Sequence, residues 1–250
     1  MSIIVNADDL GYSLSVNKAI EIAINKGVIS STTVMANMSD EALQDAVRIM
    51  NNHPEVSYGV HLNLTEGSPL LRSLYLEKIG FYKKCGDVVL FNGKNYKKNF
   101  LNKKARKDLF MELDAQVSRI QKAGFTISHI DSHHHIHIKW FILPIVVRVA
   151  KKYKLNRIRI IRNIGSTGVD LFFRRIWKFY LRLLYPSVVT TRFFGAYSSF
   201  LKLHSNSCSK NDLIELMCHP GGKEKYNDEE KLLYSDSVFN YNIKINYNDI

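Results

Sequence analysis

Two periods of apolar and polar positions alternate along this chain. "SIIVNA" is a short apolar run ending at Asp8–Asp9, which predicts a buried first strand. Beyond Gly11 the period lengthens. Val16, Ala19, Ile20, Ala23 and Ile24 fall on one helical stripe, with Ser15 expected as its cap and Gly27 as its stop. "VISSTTVMA" predicts a second strand. Ser39 then caps a helix opening on Asp40–Glu41, acids that suit the positive end of a helix dipole, with Leu43, Ala46, Val47 and Met50 facing inward. In "VSYGVHLNLT" the period is two. Val56, Tyr58, Val60, Leu62 and Leu64 share one face, and Gly59, His61, Asn63 and Thr65 share the other.

Residues 66–102 lose both periods and are basic, which predicts a loop-like insertion over one end of the fold. A longer helix follows, with Phe110, Leu113, Val117 and Ile120 on one side and Gly124 beyond its end. Next come a histidine-rich strand, a helix from about Trp140, a strand "RIRIIR" and an arginine-aromatic helix near 170–184. The last clear strand, "LIELMC", runs into His219–Pro220–Gly221–Gly222. Strands alternating with helices predict a mostly parallel α/β sheet, open or closed into a barrel. No linker-like stretch interrupts residues 1–250, so one domain is expected.

Composition narrows the setting. The longest apolar run, Trp140 to Val147, is too short to span a bilayer, and the first residues lack the regions of a signal peptide. Three cysteines (Cys85, Cys208 and Cys218) form no CxxC pair, which fits a reduced, cytoplasmic protein. The net charge of +12 is unevenly placed: between Lys139 and Arg182, twelve Lys or Arg accompany the single acid Asp170. Such a stretch suits nucleic acid, anionic lipid headgroups or a phosphorylated substrate, or is simply a solvated face.

Polar clusters stand at the ends of predicted strands: Asp8–Asp9, His61–Asn63, the histidines of "SHIDSHHHIH" (128–137) and His219. In parallel α/β folds those ends gather on one face, where active sites form. Within the histidine run, His129, Asp131 and His133 have one strand parity, leaving His134, His135 and His137 as supporting, substrate-contacting or exposed groups. Each cluster alone has a bland alternative. Asp8–Asp9 could cap a helix, His61 could be a satisfied core histidine, Asp131 could turn the strand end, and His219 could merely end a strand. Together, one or two Asp and two His with an open position match a catalytic divalent-metal site better than a closed structural zinc.

The motifs "VNADDLGYS", "YGVHLNLTEGSPL", "SHIDSHHHIH" and "ELMCHPGG" resemble, in order, those of the YdjC-like (ChbG) carbohydrate deacetylase family. The resemblance runs from Ile3 to about Gly222, with a weaker echo at "INYNDI", and Leu10 stands where the family usually has phenylalanine. The segment 163–206, rich in Arg, Phe and Tyr, diverges. The resemblance implies an irregular, TIM-barrel-like (β/α) barrel, a bound divalent metal, and removal of acetyl from N-acetylated sugars of the chitooligosaccharide type. It makes Asp9, His61 and His133 metal ligands, Asp8 the general base and His219 the general acid, with Arg159 or Arg162 on a basic strand nearby. Asp131 would hold a ligating imidazole in one tautomer, and His135 and Asn63 are further supporting or substrate-binding candidates. An amide needs a polarised carbonyl, an activated water and a protonated leaving amine, and this set would supply all three. Ligand softness favours Zn²⁺, Co²⁺ or Mn²⁺, while the resemblance allows Mg²⁺. The expected partner is an N-acetylated sugar, neutral, phosphorylated or lipid-linked, and a homodimer is allowed. The rivals are a metal-assisted phosphoester or cyclic-amide hydrolase on the same fold, and a basic nucleic-acid-binding protein, against which no recognised binding motif is present.

Overall fold

The computed structural model describes residues 1–93, 101–197, 211–222 and 243–250. Parts of the two atypical segments, 94–100 and 198–206, and Cys208 lie outside the described residues. In chain order the elements are β1 (Ser2–Leu10), α1 (Leu14–Asn25), β2 (Ser31–Val34), α2 (Asp40–Asn52), β3 (Ser57–Leu62), α3 (Leu74–Lys78), β4 (Tyr82–Cys85) and β5 (Val88–Phe91). They continue with α4 (Lys103–Lys122), β6 (Ile127–Ser132), α5 (Leu143–Lys152), α6 (Gly168–Leu184), β7 (Phe193–Ala196), β8 (Leu213–Cys218) and β9 (Ile243–Lys244).

The main sheet is parallel, in the order β6-β3-β2-β1-β8-β7, and β9 also pairs with β1. Its edges are drawn together by the stretch 157–164. Ile130 N donates to Arg157 O and Arg159 N to Ile130 O, at 2.9 and 3.0 Å, which ties that stretch to β6. Asn163 N and Ile164 N donate to Phe194 O at 2.9 and 3.1 Å, which ties it to β7. The result is a curled parallel sheet, the half-barrel part of the expected TIM-like barrel. "RIRIIR" forms no strand. It makes isolated bridges, Ile158 to Ile130 and Arg157 to Val189.

All six residues of β3 are buried, so its period of two does not separate core from solvent. Helices such as α2, α4 and α5 pack on the sheet through the apolar core. Polar side chains of the sheet are packed as tightly as the apolar ones. A Cβ on Gly59 would lie 2.4 Å from the His129 ring, so only glycine leaves room for that imidazole. The helices contribute conventional burial. Leu43, Ala46 and Ile49 of α2 lie in the core, and each such large side chain stabilises the fold by about 1.5–3 kcal/mol.

Two local expectations need correction. Ser13, not Ser15, caps α1, its Oγ accepting from Val16 N at 3.3 Å, because the helix starts at Leu14, two positions before its apolar stripe. Residues 66–102 are not simply loop: their described part holds α3 and the antiparallel β4–β5 hairpin. The loop before α3 is pinned by α4, whose buried Glu112 accepts from Leu70 N and Leu71 N at 3.1 and 2.7 Å. Gln116 of α4 bonds both backbone groups of Asn63 at 2.9 and 2.7 Å.

Candidate metal and acid–base site

Strand parity should send Asp8 and Asp9 to opposite faces. The pairing of β1 with β2 slips between Ala7 and Leu10, and Asp9 takes φ 74°, in the left-handed region that non-glycine residues rarely adopt. That one angle brings both carboxylates into one site. Each then meets a different partner. Asp8 is clamped by Arg159, with Nη1 and Nη2 donating at 2.7 and 2.8 Å, and also accepts from Asn6 Nδ2 at 2.8 Å. Burial opposes its charge, but the guanidinium outweighs burial and holds the carboxyl well below the usual carboxylate range. Asp9 instead places Oδ1 2.8 Å from His133 Nδ1 and 3.1 Å from His61 Nε2.

His133 does not reach Asp9 by the parity expected of it. β6 ends at Ser132, and the chain turns into a tight helical segment, 133–138, in which His134 and His135 both have φ 52°. The turn separates the histidines by job. His129 stays deep, stacked on Tyr247 at 3.6 Å between centroids and hydrogen-bonded to Ser128 at 2.8 Å, outside the donor cluster. His133 turns to Asp9. His134, partly exposed, bonds Thr65 Oγ1 at 2.9 Å. His137 bonds Ser132 Oγ at 2.5 Å.

Asp131 lies where a supporting group was expected. It accepts from His61 Nδ1 at 2.7 Å and from Thr33 Oγ1 at 3.1 Å, and Arg159 Nη1 is 2.6 Å away. Arg159 is fully buried and also donates to Glu215 at 2.6 Å, so one guanidinium joins three acids. Arg162 is partly buried near Met217 Sδ, at 4.0 Å. His219 Nε2 lies 3.9 Å from Asp8 Oδ2. The turn after His219 needs glycine: Gly221 has φ 68°, and a Cβ there would meet Ala19 Cβ at 2.7 Å. His135 borders the same region. Burial, with Arg159 adding, pushes its pKa down to about 3, and its buried Nδ1 has no partner.

Asn63 serves the loop rather than the open site. Its amide donates to Asn37 Oδ1 and Glu66 O at 3.0 and 2.7 Å and accepts from Thr65 and Glu66 backbone N–H groups. That loop presents Glu66, which was not singled out in the sequence although it stands inside the quoted "HLNLTEGSPL". Glu66 Oε2 accepts from Tyr12 OH at 3.0 Å and lies 3.4 Å from His133 Nε2. The His133 contact, with Tyr12 and His134 adding, lowers its pKa to about 2. Only its place immediately after an alternating strand could have signalled it.

Among the described residues, three acid–imidazole groupings could hold a cation: Asp9/His61/His133, Glu66/His133/His134 and Asp8/His61/Asp131. The last already faces Arg159, so a second cation there would be repelled. The first fits best, by the chemistry of its donors. With His61 Nδ1–H committed to Asp131, a neutral ring would present the Nε2 lone pair to the Asp9 carboxylate. A cation between them satisfies both. A proton can take that role. Burial disfavours the His61 imidazolium, yet Asp131 and Asp9 together push its pKa up to about 10. A carboxylate behind a ligating imidazole is the usual support of a metal site.

A family model described as YdjC-like protein matches residues 2–243. A carbohydrate deacetylase of Halalkalibacterium halodurans is 32% identical over 225 residues, covering 88% of this chain and 85% of the relative. One of Vibrio campbellii is 34% identical over 226 residues, covering 90% and 80%. A crystal structure provisionally assigned as a cellobiose-phosphate cleavage protein of Enterococcus faecalis superposes with a TM-score of 0.77 at 26% identity, over 99% of this chain and 98% of that one.

Proposed function

Because the chain belongs to the YdjC-like family, we propose that it is a hydrolase that removes acetyl groups from N-acetylated sugars with the aid of one divalent cation. The observation that carries this is the convergence of Asp9, His61 and His133 beside an arginine-clamped Asp8, with His219 3.9 Å from it. Asp9 Oδ1, His61 Nε2 and His133 Nδ1 would hold the cation, with Zn²⁺, Co²⁺ or Mn²⁺ favoured by the two nitrogens. When bound, such an ion supplies a polarised carbonyl and an acidified water.

The remaining work falls to the chain. Asp8 accepts the proton of the attacking water. Its depressed pKa makes it a weak base, which suits a water that is already acidic. Arg159 fixes both Asp8 oxygens in direction; Oδ1 also accepts from Asn6, so Oδ2, on the side of His219, is the oxygen that keeps a further lone pair. His219 protonates the departing amine, since an amide anion is too basic to leave unaided. Asp131 keeps His61 in the tautomer that frees Nε2. His135, neutral and with Nδ1 unbonded, offers a hydrogen bond to a sugar hydroxyl.

Acetate release from a panel of N-acetylated mono- and oligosaccharides, before and after chelation and metal restoration, tests the proposal. Acetate should appear, stop with chelator and return with metal. Undiminished turnover in rigorously metal-free protein would defeat the mechanism, and no acetate from any member of the panel with metal restored would defeat the substrate class.

A further inference from the structure

α6 is amphipathic in the wrong direction for a helix of a self-contained core. Only Trp177 and Leu181 of its side chains are buried, and Trp177 Nε1 donates to Ile138 O at 2.9 Å behind the histidine turn. Val169, Phe172, Ile176, Phe179 and Leu183 recur at alternating spacings of three and four, which places them on one stripe. That stripe faces outward. Its members are between 37% and 72% exposed, and Phe173 beside them is 59% exposed. Isolated exposed apolar residues are ordinary, but a continuous aromatic stripe marks a contact surface.

The charge beside the stripe identifies what it contacts. Arg175 and Arg182 lie along one flank of α6, while Lys178 between them turns inward and donates to Thr191 O at 2.9 Å; the helix's only acid, Asp170, is already bonded to Arg174 at 2.9 Å. Arg174, Arg175 and Lys178 also line a shallow cleft against Ile160, Ile161 and Asn163, the stretch that continues from Arg159. Trp140, 49% exposed, packs on Tyr180 of α6 at 5.1 Å between centroids, adding an indole of the kind that settles at a water–lipid boundary. A second copy of the chain meets the stripe poorly. Antiparallel pairing of two α6 helices sets the arginine flanks against each other, and parallel pairing sets them against a flank without a free carboxylate. Among the described residues, no helix is long and apolar enough to cross a membrane, so α6 can lie on a bilayer but not span it.

We propose that α6 is an in-plane docking helix that seats the protein on an anionic lipid surface, with its Phe and Leu side chains among the upper acyl chains and Arg175 and Arg182 at the headgroups. Docking does not require the deacetylase reading, because vesicle binding needs no turnover.

Sedimentation with large unilamellar vesicles of phosphatidylcholine, with and without phosphatidylglycerol, tests the proposal on the full chain. Binding is expected only with phosphatidylglycerol and is expected to weaken with salt. The double variant Arg175→Gln/Arg182→Gln should lose roughly twentyfold in vesicle affinity, about fivefold for each cation. Phe172→Glu/Phe179→Glu should not sediment at all, while its circular dichroism and melting transition stay those of the parent. Equal binding to neutral vesicles, or none to anionic ones, overturns the proposal. So does a dimer in analytical ultracentrifugation that Phe172→Glu/Phe179→Glu dissolves and that does not bind vesicles.

Discussion

Asp8 and Asp9 are the same residue type at adjacent positions, and one backbone angle gives them different chemistry. If Asp9 is the ligand, Asp9→Asn should empty the site, as His61→Ala and His133→Ala should. Asp8→Asn should keep the metal while kcat falls by about two to four orders of magnitude, the usual worth of a positioned base. His134→Ala should keep the metal too. Metal content per chain, read beside turnover, checks all five, and a metal lost from Asp8→Asn but retained by Asp9→Asn would reverse the two roles. Arg159 makes a separate prediction. Arg159→Met leaves Asp8, Asp131 and Glu215 buried around no cation, and breaking a buried ion pair costs about 3–5 kcal/mol, so urea unfolding should show a loss of at least that size. Glu215 should give a pH signature. Its pKa is raised to about 7, by burial first, against the opposing pull of Arg159. A raised acid binds its proton more tightly when folded, so its contribution is full below about pH 4.5 and is lost as pH rises through about 7. Unfolding free energies of the parent and Glu215→Gln across that window should diverge. Parallel curves would mean that Glu215 does not titrate there.

Among the elements, the pairing of β3 with β6 depends on a missing side chain. Gly59→Ala would drive a methyl into the His129 ring, and overpacking of this kind costs about 1–3 kcal/mol, measurable as a lower urea midpoint at unchanged slope. How much was legible in the sequence divides along the same lines. The alternation of strands and helices and the gathering of Asp9, His61 and the histidine run at strand ends follow from local period; Asp131 was legible as the support of a ligating imidazole, but not that the imidazole is His61. Parity failed where the backbone leaves the strand. His133 reaches Asp9 from a turn with two left-handed histidines, an event no period encodes. Arg159 was legible only as a basic residue nearby. Its buried knot with acids from three separate strands comes from tertiary packing, and the Glu66 loop is held through Asn63, which bonds Gln116, 53 residues beyond it. "RIRIIR" misled for a related reason. It carries a strand's composition but bridges the two edges of a curling sheet, where a continuous ladder cannot form.

At the scale of the whole molecule, ligand binding and folding are one equilibrium. A cation bound by the folded Asp9/His61/His133 set alone stabilises by about 2.7 kcal/mol at a hundredfold excess over Kd. For a chain of this length that raises Tm by roughly 5–10 °C. Calorimetry of the chelated protein with and without Zn²⁺ or Mn²⁺ should show this shift, and Asp9→Asn should abolish it. The sheet order carries another consequence, in time rather than energy. β1 is the first strand to be synthesised, yet it is flanked by β8 and β9, which are nearly the last. Tyr247 follows them, buried against His129 and hydrogen-bonded to Glu215 at 2.5 Å. During translation the central strand therefore waits, one side paired with β2 and the other bare, for most of the chain to emerge. Such sequence-distant pairing makes folding slow and leaves a sticky edge exposed meanwhile. A nascent chain of this topology should depend on chaperones from its first turn to its last, and a ribosome stalled before β8 should carry an aggregation-prone product.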